Sequence, residues 1–228
     1  MISEYKIYRN YKRIIGIDEA GRGPIAGPVV AAAVVLPQDM IIPGLNDSKK
    51  LSQIKREELY LEIKSCAIDY AVSVVDSKKI DKINILQATF FAMRNVLNKI
   101  KISVDYFLVD GPYLPTKSNT YEINIESSAS EIKSKILMQS IISQGEPIVK
   151  GDQKYYCIAA ASILAKVYRD KLMVNYHKKY PQFDFLHNKG YPTKKHIEAI
   201  KKHGITSIHR KTFSPISKNS YKIYIQKN

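Results

Sequence analysis

Four carboxylates stand where the chain is best placed to do chemistry. Asp18 and Glu19 follow the apolar run Ile14-Ile15-Gly16-Ile17, Asp110 follows Tyr106 to Val109, and Asp152 sits in a Gly-Asp turn just after Pro147-Ile148-Val149. Adjacent ionised acids at the end of a buried strand repel each other and lose hydration, and a cation is the usual remedy. Three or four carboxylates with no Cys or His partner are hard oxygen ligands, which select Mg²⁺ or Mn²⁺ over zinc. Just beyond Glu19 comes Gly21-Arg22-Gly23-Pro24. Glycines let the backbone turn sharply and let a ligand approach main-chain N–H groups, and an arginine offers a phosphate a forked donor set. Together these residues point to a metal-dependent site acting on a phosphate-containing polymer. A plainer reading competes on this segment alone, since Asp/Gly-rich turns often join strands and carry solvated acids. The run to Pro28 lacks the Gly-Lys-Ser/Thr ending of a nucleotide-binding loop.

The elements that must position these residues follow from periodicity and turn chemistry. Ile14 to Ile17 and Val29 to Leu36 read as a strand pair around the glycine turn. Ser52 is placed to cap a helix through Ile54, Leu59, Leu61 and Ile63, and Tyr70 to Val75 reads as a strand. A longer helix carries Leu86, Phe90, Met93, Leu97 and Ile100 as one core-facing stripe. Asp105 to Val109 is a strand delivering Asp110, Tyr121 to Ile125 a weaker one, and Ser127 to Ile142 an amphipathic helix. After the strand at Pro147 a long helix runs from near Cys157 to about Lys179, opening with the small residues Ala159 to Ser162. Strands ending in acids and alternating with helices predict a parallel α/β arrangement with the acids at one sheet edge. Successive strand residues face opposite sides, so Asp18 and Glu19 can share a cluster only if the strand bends or the cluster straddles its end.

The 228 residues are enough for one domain with a substantial core, and the 45% hydrophobic content is that of a globular chain. Lys and Arg number 36 against 21 acids, a net +15 that favours an anionic partner, nucleic acid or an acidic membrane. Cys66 and Cys157 have no metal-ligand spacing and read as free thiols. The longest apolar run is eight residues and the N-terminus has no apolar leader, so a cytoplasmic protein without a membrane span is expected. From Leu186 onward there are ten Lys/Arg and one acid, Glu198, with Tyr191, Phe213, Tyr221 and Tyr224 interleaved. A helix from Lys194 to His203 ends at Gly204. Basic residues mixed with aromatics suit a backbone-gripping surface, with Lys194, Lys195, Lys201, Lys202, Arg210 and Lys211 expected on phosphates. The last ten residues read better as a solvated tail. His187, His196 and His209 lie in a segment that repels cations, and Asp170 fits a buried salt bridge or cap better than a fifth metal ligand.

The stretches GIDEAGRGPIAGPVVAAAVVL, DSKKLS, VDG, VKGD, IAAASILAKVYRD, HNKGYPTKKH and IHRKTFSP occur in an order that resembles bacterial ribonuclease HII, the type 2 ribonuclease H. The resemblance covers almost the whole chain, from near residue 12 to residue 215. It implies a ribonuclease H-like mixed sheet flanked by helices, in one domain. The core would span about 12–180, a basic C-terminal helical extension about 181–216, and a tail 217–228. It also implies that Asp18, Glu19, Asp110 and Asp152 are catalytic and bind two divalent cations, Mn²⁺ or Mg²⁺. Gly21, Arg22 and Gly23 would recognise the ribose 2′-OH at an RNA–DNA junction, Tyr191 would pack on the sugar, and Lys49 would lie in a phosphate-contacting loop. The implied activity is cleavage of RNA–DNA hybrids and of duplex DNA with single ribonucleotides, by a monomer. One departure is a longer stretch between Asp110 and Asp152, with residues 127–144 as an insertion. Type 1 ribonucleases H do not open with adjacent Asp-Glu. Two rivals remain: a non-catalytic nucleic-acid-binding module, which leaves the acids unexplained, and a Holliday-junction resolvase or transposase core, which lacks Gly-Arg-Gly and HNKGY.

Overall fold

The computed structural model describes residues 3–115 and 144–222, apart from 39, 47, 49 and 220. The strand read at 121–125, nearly all of the helix read at 127–144, Lys49 and Tyr224 fall outside these residues. Numbered along the described residues, the strands are β1 (Ile14–Ala20), β2 (Val29–Val35), β3 (Asp69–Val75), β4 (Tyr106–Asp110) and β5 (Gly145–Ile148). The α-helices are α1 (Glu4–Ile7), α2 (Gln53–Cys66), α3 (Ser77–Ile83), α4 (Ile85–Lys99), α5 (Tyr156–Lys179), α6 (Phe185–Asn188) and α7 (Lys194–His203).

The five strands form one sheet in the order β3-β2-β1-β4-β5. β1 and β3 run antiparallel to β2, while β4 runs parallel to both β1 and β5. The sheet is therefore mixed, with helices on both faces. This explains why every residue of β2 is apolar and buried. Val29, Ala31, Ala33 and Val35 pack into a core with α3 and α4, and Val30, Ala32 and Val34 into a second core with α2 and α5. The small residues Ala159 to Ala161 of α5 lie in that second core. The helix begins directly on β1, where a Cβ added to Gly16 would lie 2.4 Å from the backbone nitrogen of Ile158.

Local chemistry sets the helix ends. Ser52 caps α2, accepting the N–H of Lys55 at 3.2 Å. Asp76 caps α3 and Asn84 caps α4, and Asn84 adopts a positive φ of 62° that breaks one helix from the next. This break makes two helices where one was expected. The expected α4 stripe is corrected as well. Leu86 is exposed, while Met93 and Leu97 are buried and Phe90 and the C-cap Ile100 pack against the same core; Ala88, Thr89, Ala92 and Val96 are buried beside them. In α2, Leu59, Tyr60 and Ile63 are buried, but Ile54 and Leu61 face outward.

A third core joins the end of α5 to the C-terminal extension. Met173, Tyr180, Phe183, Phe185, Ile200, Ile205, Ile208 and Ile216 close around Ile25 and Ala26 of the β1–β2 turn. The turn is thereby enclosed by segments far away in sequence. At the other end of the chain, Tyr5, Tyr8 and Tyr11 pack beside Tyr106 at the foot of β4.

Candidate active site

Parallel pairing of β1 with β4 sets Ile17 opposite Val109, so Asp18 and Asp110 are the next residues along two adjacent strands. Asp18 shares the face of Gly16, toward α5, and is 5% exposed. Burial, then the nearby charges of Glu19 and Asp110, push its carboxyl well above the usual range; a hydrogen bond from Ser162 of α5 and the N–H of Glu19 oppose that shift. The Glu19 N–H donates to Asp18 Oδ1 at 2.6 Å. β1 stays extended through Ala20, so Asp18 and Glu19 lie within the strand, with their side chains on opposite faces of the sheet. Glu19 accepts from Arg22 Nη1 at 3.3 Å.

Asp110 and Asp152 are linked by the backbone. The Gly151 N–H donates to Asp110 Oδ1 at 2.7 Å, which draws the turn carrying Asp152 to the end of β4. Asp152 is buried in a short 3₁₀ turn, Gly151–Gln153. Among the described residues no three His, Cys, Asp or Glu side chains already form a closed metal cage. Asp110 and Glu19 are held by the Gly151 N–H and by Arg22. The donor set nonetheless fits a hard divalent cation, because it is all carboxylate and its most buried member is crowded by negative charge.

Two buried arginines shape the glycine turn. Arg210, 0% exposed, donates from Nε to the carbonyl of Gly27 at 3.0 Å, from Nη1 to Arg22 at 2.9 Å and from Nη2 to Gly21 at 2.6 Å. Arg169, 1% exposed, donates to the carbonyls of Pro28, Lys189 and Ala26 at 2.9, 3.0 and 3.1 Å. The expectation that Arg210 grips phosphate is thus corrected: its donors are used up inside the fold, in a planar fork that only a guanidinium provides. Burial holds the guanidinium of Arg210 down at about 9 and that of Arg169 at about 10. In a trans peptide the N–H points opposite to the C=O. With the carbonyls of Gly21 and Arg22 turned onto Arg210, the N–H groups of Arg22 and Gly23 point away from it, to the open side.

The two glycines differ. Gly21 has φ +96°, and a Cβ there would lie 2.1 Å from Arg169 Nε. The interior, and not an arriving ligand, requires glycine at 21. At Gly23 a Cβ would meet only Tyr191 Cε1, at 3.5 Å. Gly23 and the half-exposed Tyr191 are therefore close neighbours at the surface, the gap between them no wider than a methyl group. Tyr191 is brought there because Gly190 accepts the N–H groups of both Ile25 and Ala26, at 2.9 and 3.2 Å.

Other expected residues sort as follows. Asp170 pairs with Lys166 at 2.8 Å. Lys194, Lys195, Lys201, Lys202 and Lys211 are exposed, and His196 and His209 are buried against each other. A groove of about 550 Å³ between α2 and α5 is lined by Arg56, Lys171 and Lys189 with Glu57 and Asp170, and excludes the four acids. Arg169, Ser162 and Gly190 were missed from the sequence. Only Arg169 left a signal there, as a charge in the middle of an otherwise core-facing stretch of helix.

The ribonuclease HII family model matches residues 15–216. The chain is 52% identical over 209 residues to a ribonuclease HII of Endomicrobium trichonymphae, covering 92% of this chain and 89% of that protein. It is 47% identical to that of Francisella tularensis subsp. novicida, covering 89% of this chain and 97% of the relative. Among solved structures, ribonuclease H2 from Pyrococcus horikoshii OT3 superposes with a TM-score of 0.67 and 29% identity, covering 90% of this chain and 96% of that one. Identity near one half across nine-tenths of two full relatives, with the same mixed sheet in the archaeal structure, leaves one conclusion: the chain belongs to the ribonuclease HII family and is a ribonuclease H, an endonuclease of the hydrolase class.

Proposed function

We propose that the protein cleaves the RNA strand of RNA–DNA hybrids and nicks duplex DNA 5′ to single embedded ribonucleotides, leaving 5′-phosphate and 3′-hydroxyl ends. The observation that carries this reading is the placement of Asp18 and Asp110 level on neighbouring strands, with the turn that leaves β1 running directly to the exposed Gly23 beside Tyr191. Asp18, Glu19, Asp110 and Asp152 are the residues to hold two divalent cations, Mg²⁺ or Mn²⁺, whose Lewis acidity would supply the nucleophilic water and stabilise the departing 3′ oxygen. The chain's own groups then do the selecting. Every nucleotide offers the same phosphate, so only the 2′-OH separates RNA from DNA at a given position. The outward N–H groups of Arg22 and Gly23 are placed to meet that hydroxyl, and the ring of Tyr191 to pack on the adjoining sugar. A binding module without catalysis gives no use for a buried acid crowded by two others.

The test is a duplex carrying one embedded ribonucleotide, incubated with protein and Mg²⁺. A nick on the 5′ side of the ribonucleotide is expected, and an intact duplex would overturn the assignment. Asp110→Asn keeps the shape that accepts the Gly151 N–H and removes the charge, so it is expected to fold normally and lose cleavage by about 100-fold or more. Near-normal turnover of that variant would remove Asp110 from the site.

A further inference from the structure

His196 and His209 are both buried, at 0% and 1% exposure, and their Nε2 atoms lie 3.0 Å apart. Two nitrogens at that distance must share one proton, one donating and the other accepting. The outer nitrogens decide which. His196 Nδ1 lies 2.8 Å from the carbonyl oxygen of Tyr191, which can only accept, so His196 carries its proton on Nδ1. His209 Nδ1 receives the N–H of Thr206 at 2.9 Å and lies 2.8 Å from the Thr206 hydroxyl, which can also donate to it, so it is bare and His209 carries its proton on Nε2. One arrangement satisfies every atom: Thr206 N–H to His209, His209 Nε2–H to His196, His196 Nδ1–H to the Tyr191 carbonyl. Both rings are neutral, in keeping with their burial against Phe183 and Phe185.

We propose that His196 and His209 are positioning residues, a two-imidazole strut that locks the main chain of Tyr191 against the Gly21–Gly23 turn. The ring of Tyr191 is 47% exposed, so packing does not fix it. Its main chain is fixed instead: the Tyr191 carbonyl accepts His196 Nδ1–H and the Thr193 N–H, while its own N–H donates to Asn188. The far end of the strut is anchored in the opposite wall. His209 forms an isolated bridge with Ala26, and Arg210, next in the chain, holds the carbonyls of Gly21 and Arg22. The strut thus joins the Tyr191 loop to the segment that holds the glycine turn, alongside the bonds from Ile25 and Ala26 to Gly190, without touching substrate.

The inference rests on Tyr191 and the glycine turn forming the junction-reading surface, and the test separates the two ideas. An Asn side chain places its amide nitrogen near imidazole Nδ1, where it can still donate, and a Gln side chain can place its amide oxygen near Nε2, where it accepts the His209 Nε2–H. His196→Asn keeps the donor to Tyr191 and loses His209; His196→Gln keeps His209 and loses Tyr191. Each forfeits one buried hydrogen bond, so thermal melting should fall alike in both. On a duplex with one ribonucleotide, His196→Gln is expected to raise KM about tenfold with a smaller change in kcat, approaching Tyr191→Ala, while His196→Asn stays within about threefold of wild type. Equal losses in the two variants, or none in either, would overturn the strut. If Tyr191→Ala itself leaves junction cleavage unchanged, the reading of Tyr191 fails and the strut with it. Should either variant fail to fold, imidazole ¹⁵N spectra of the wild-type protein decide the matter: Nδ1–H at His196 and Nε2–H at His209 are expected, and any other pair of tautomers would overturn the proposal.

Discussion

Arg210 Nη2 lies 2.6 Å from the carbonyl oxygen of Gly21, a bond that joins positions 189 residues apart. It ties the C-terminal extension to the turn that leaves β1. Neither Arg210 nor Arg169 pairs with a carboxylate within salt-bridge distance among the described residues. The direct partners of the two buried cations are main-chain carbonyls, with the charges of Asp170 and Asp81 adding support from farther away. Hydrogen bonds to a charged group contribute about 1.5–3 kcal/mol each, and a buried charge left short of them is costly.

Arg210→Lys separates charge from geometry. An ammonium on a flexible stem cannot serve three carbonyls in one plane, so Gly21, Arg22 and Gly27 would lose most of their donors. A loss of about 2–4 kcal/mol of stability is expected by urea denaturation, together with a fall in junction cleavage of more than tenfold. Retained stability in the lysine variant would show that the fork is not what holds the turn.

The glycine turn offers a second contrast. Gly21→Ala forces a methyl group onto Arg169 at a positive φ, so its melting temperature is expected to fall by several degrees and its activity with it. Gly23→Ala meets only the edge of Tyr191 and should melt as wild type does, yet cleave single ribonucleotides poorly because the methyl group narrows the gap. Melting curves and initial rates on both variants check this. An unchanged melting temperature for Gly21→Ala would sink the distinction.

These two glycines also show what the sequence could tell. Gly21 and Gly23 read alike as openings for a ligand, and the side chain that makes Gly21 obligatory, Arg169, comes 148 residues later. The acids were legible because each ends or follows an apolar strand, a local pattern that parallel pairing turns into proximity. Ser52, Gly204 and the small-residue start of α5 were legible for the same local reason. Arg210 was misread because a basic segment looks like surface, and nothing near it in sequence announces the carbonyls it serves. Leu86 was misplaced because the cap at Asn84 rotates α4, so that Ala88 and Ala92 face the sheet. Long-range hydrogen bonds of this kind leave no periodic trace.

Acid should loosen the extension before it dissolves the core. Burial, and then His196, hold His209 down at about 3 against an ordinary 6.5, and burial lowers His196 too. The other titratable groups around the pair are His203, set edge-on to Phe183, and the Arg210 guanidinium over Phe213. Below about pH 6.5 the unfolded chain takes up a proton that folded His209 refuses. Stability from this site is therefore complete above about 6.5 and declines as the pH falls toward about 3, by roughly 1.4 kcal/mol per unit. Urea midpoints at pH 7.5, 6.0 and 5.0 are expected to fall more steeply in the wild type than in His209→Gln, which has no imidazole to protonate. Parallel curves would mean that His209 titrates normally in the fold.

The basic face of α7 makes the remaining prediction, and Arg210 supplies its control. Lys194, Lys195, Lys201 and Lys202 are exposed on a helix whose neighbour in space is the Tyr191 loop, so they are placed to meet the backbone of a duplex lying across Gly23 and Tyr191. Each phosphate contact releases condensed counterions, and log K falls with log salt by about 0.9 per contact on B-form DNA. Replacing all four with Gln should therefore flatten the slope by up to about 3.6 and weaken binding to every duplex alike, whatever its sequence. Arg210→Gln carries the opposite expectation. It removes a formal positive charge of the same C-terminal segment, yet its side chain never reaches solvent, so the salt slope should stay within error of wild type while cleavage falls. Binding titrations of a catalytically silent Asp110→Asn background at several salt concentrations separate the two. A slope that drops with Arg210→Gln would put that guanidinium on phosphate after all, and a slope untouched by the four glutamines would leave α7 an ordinary solvated helix.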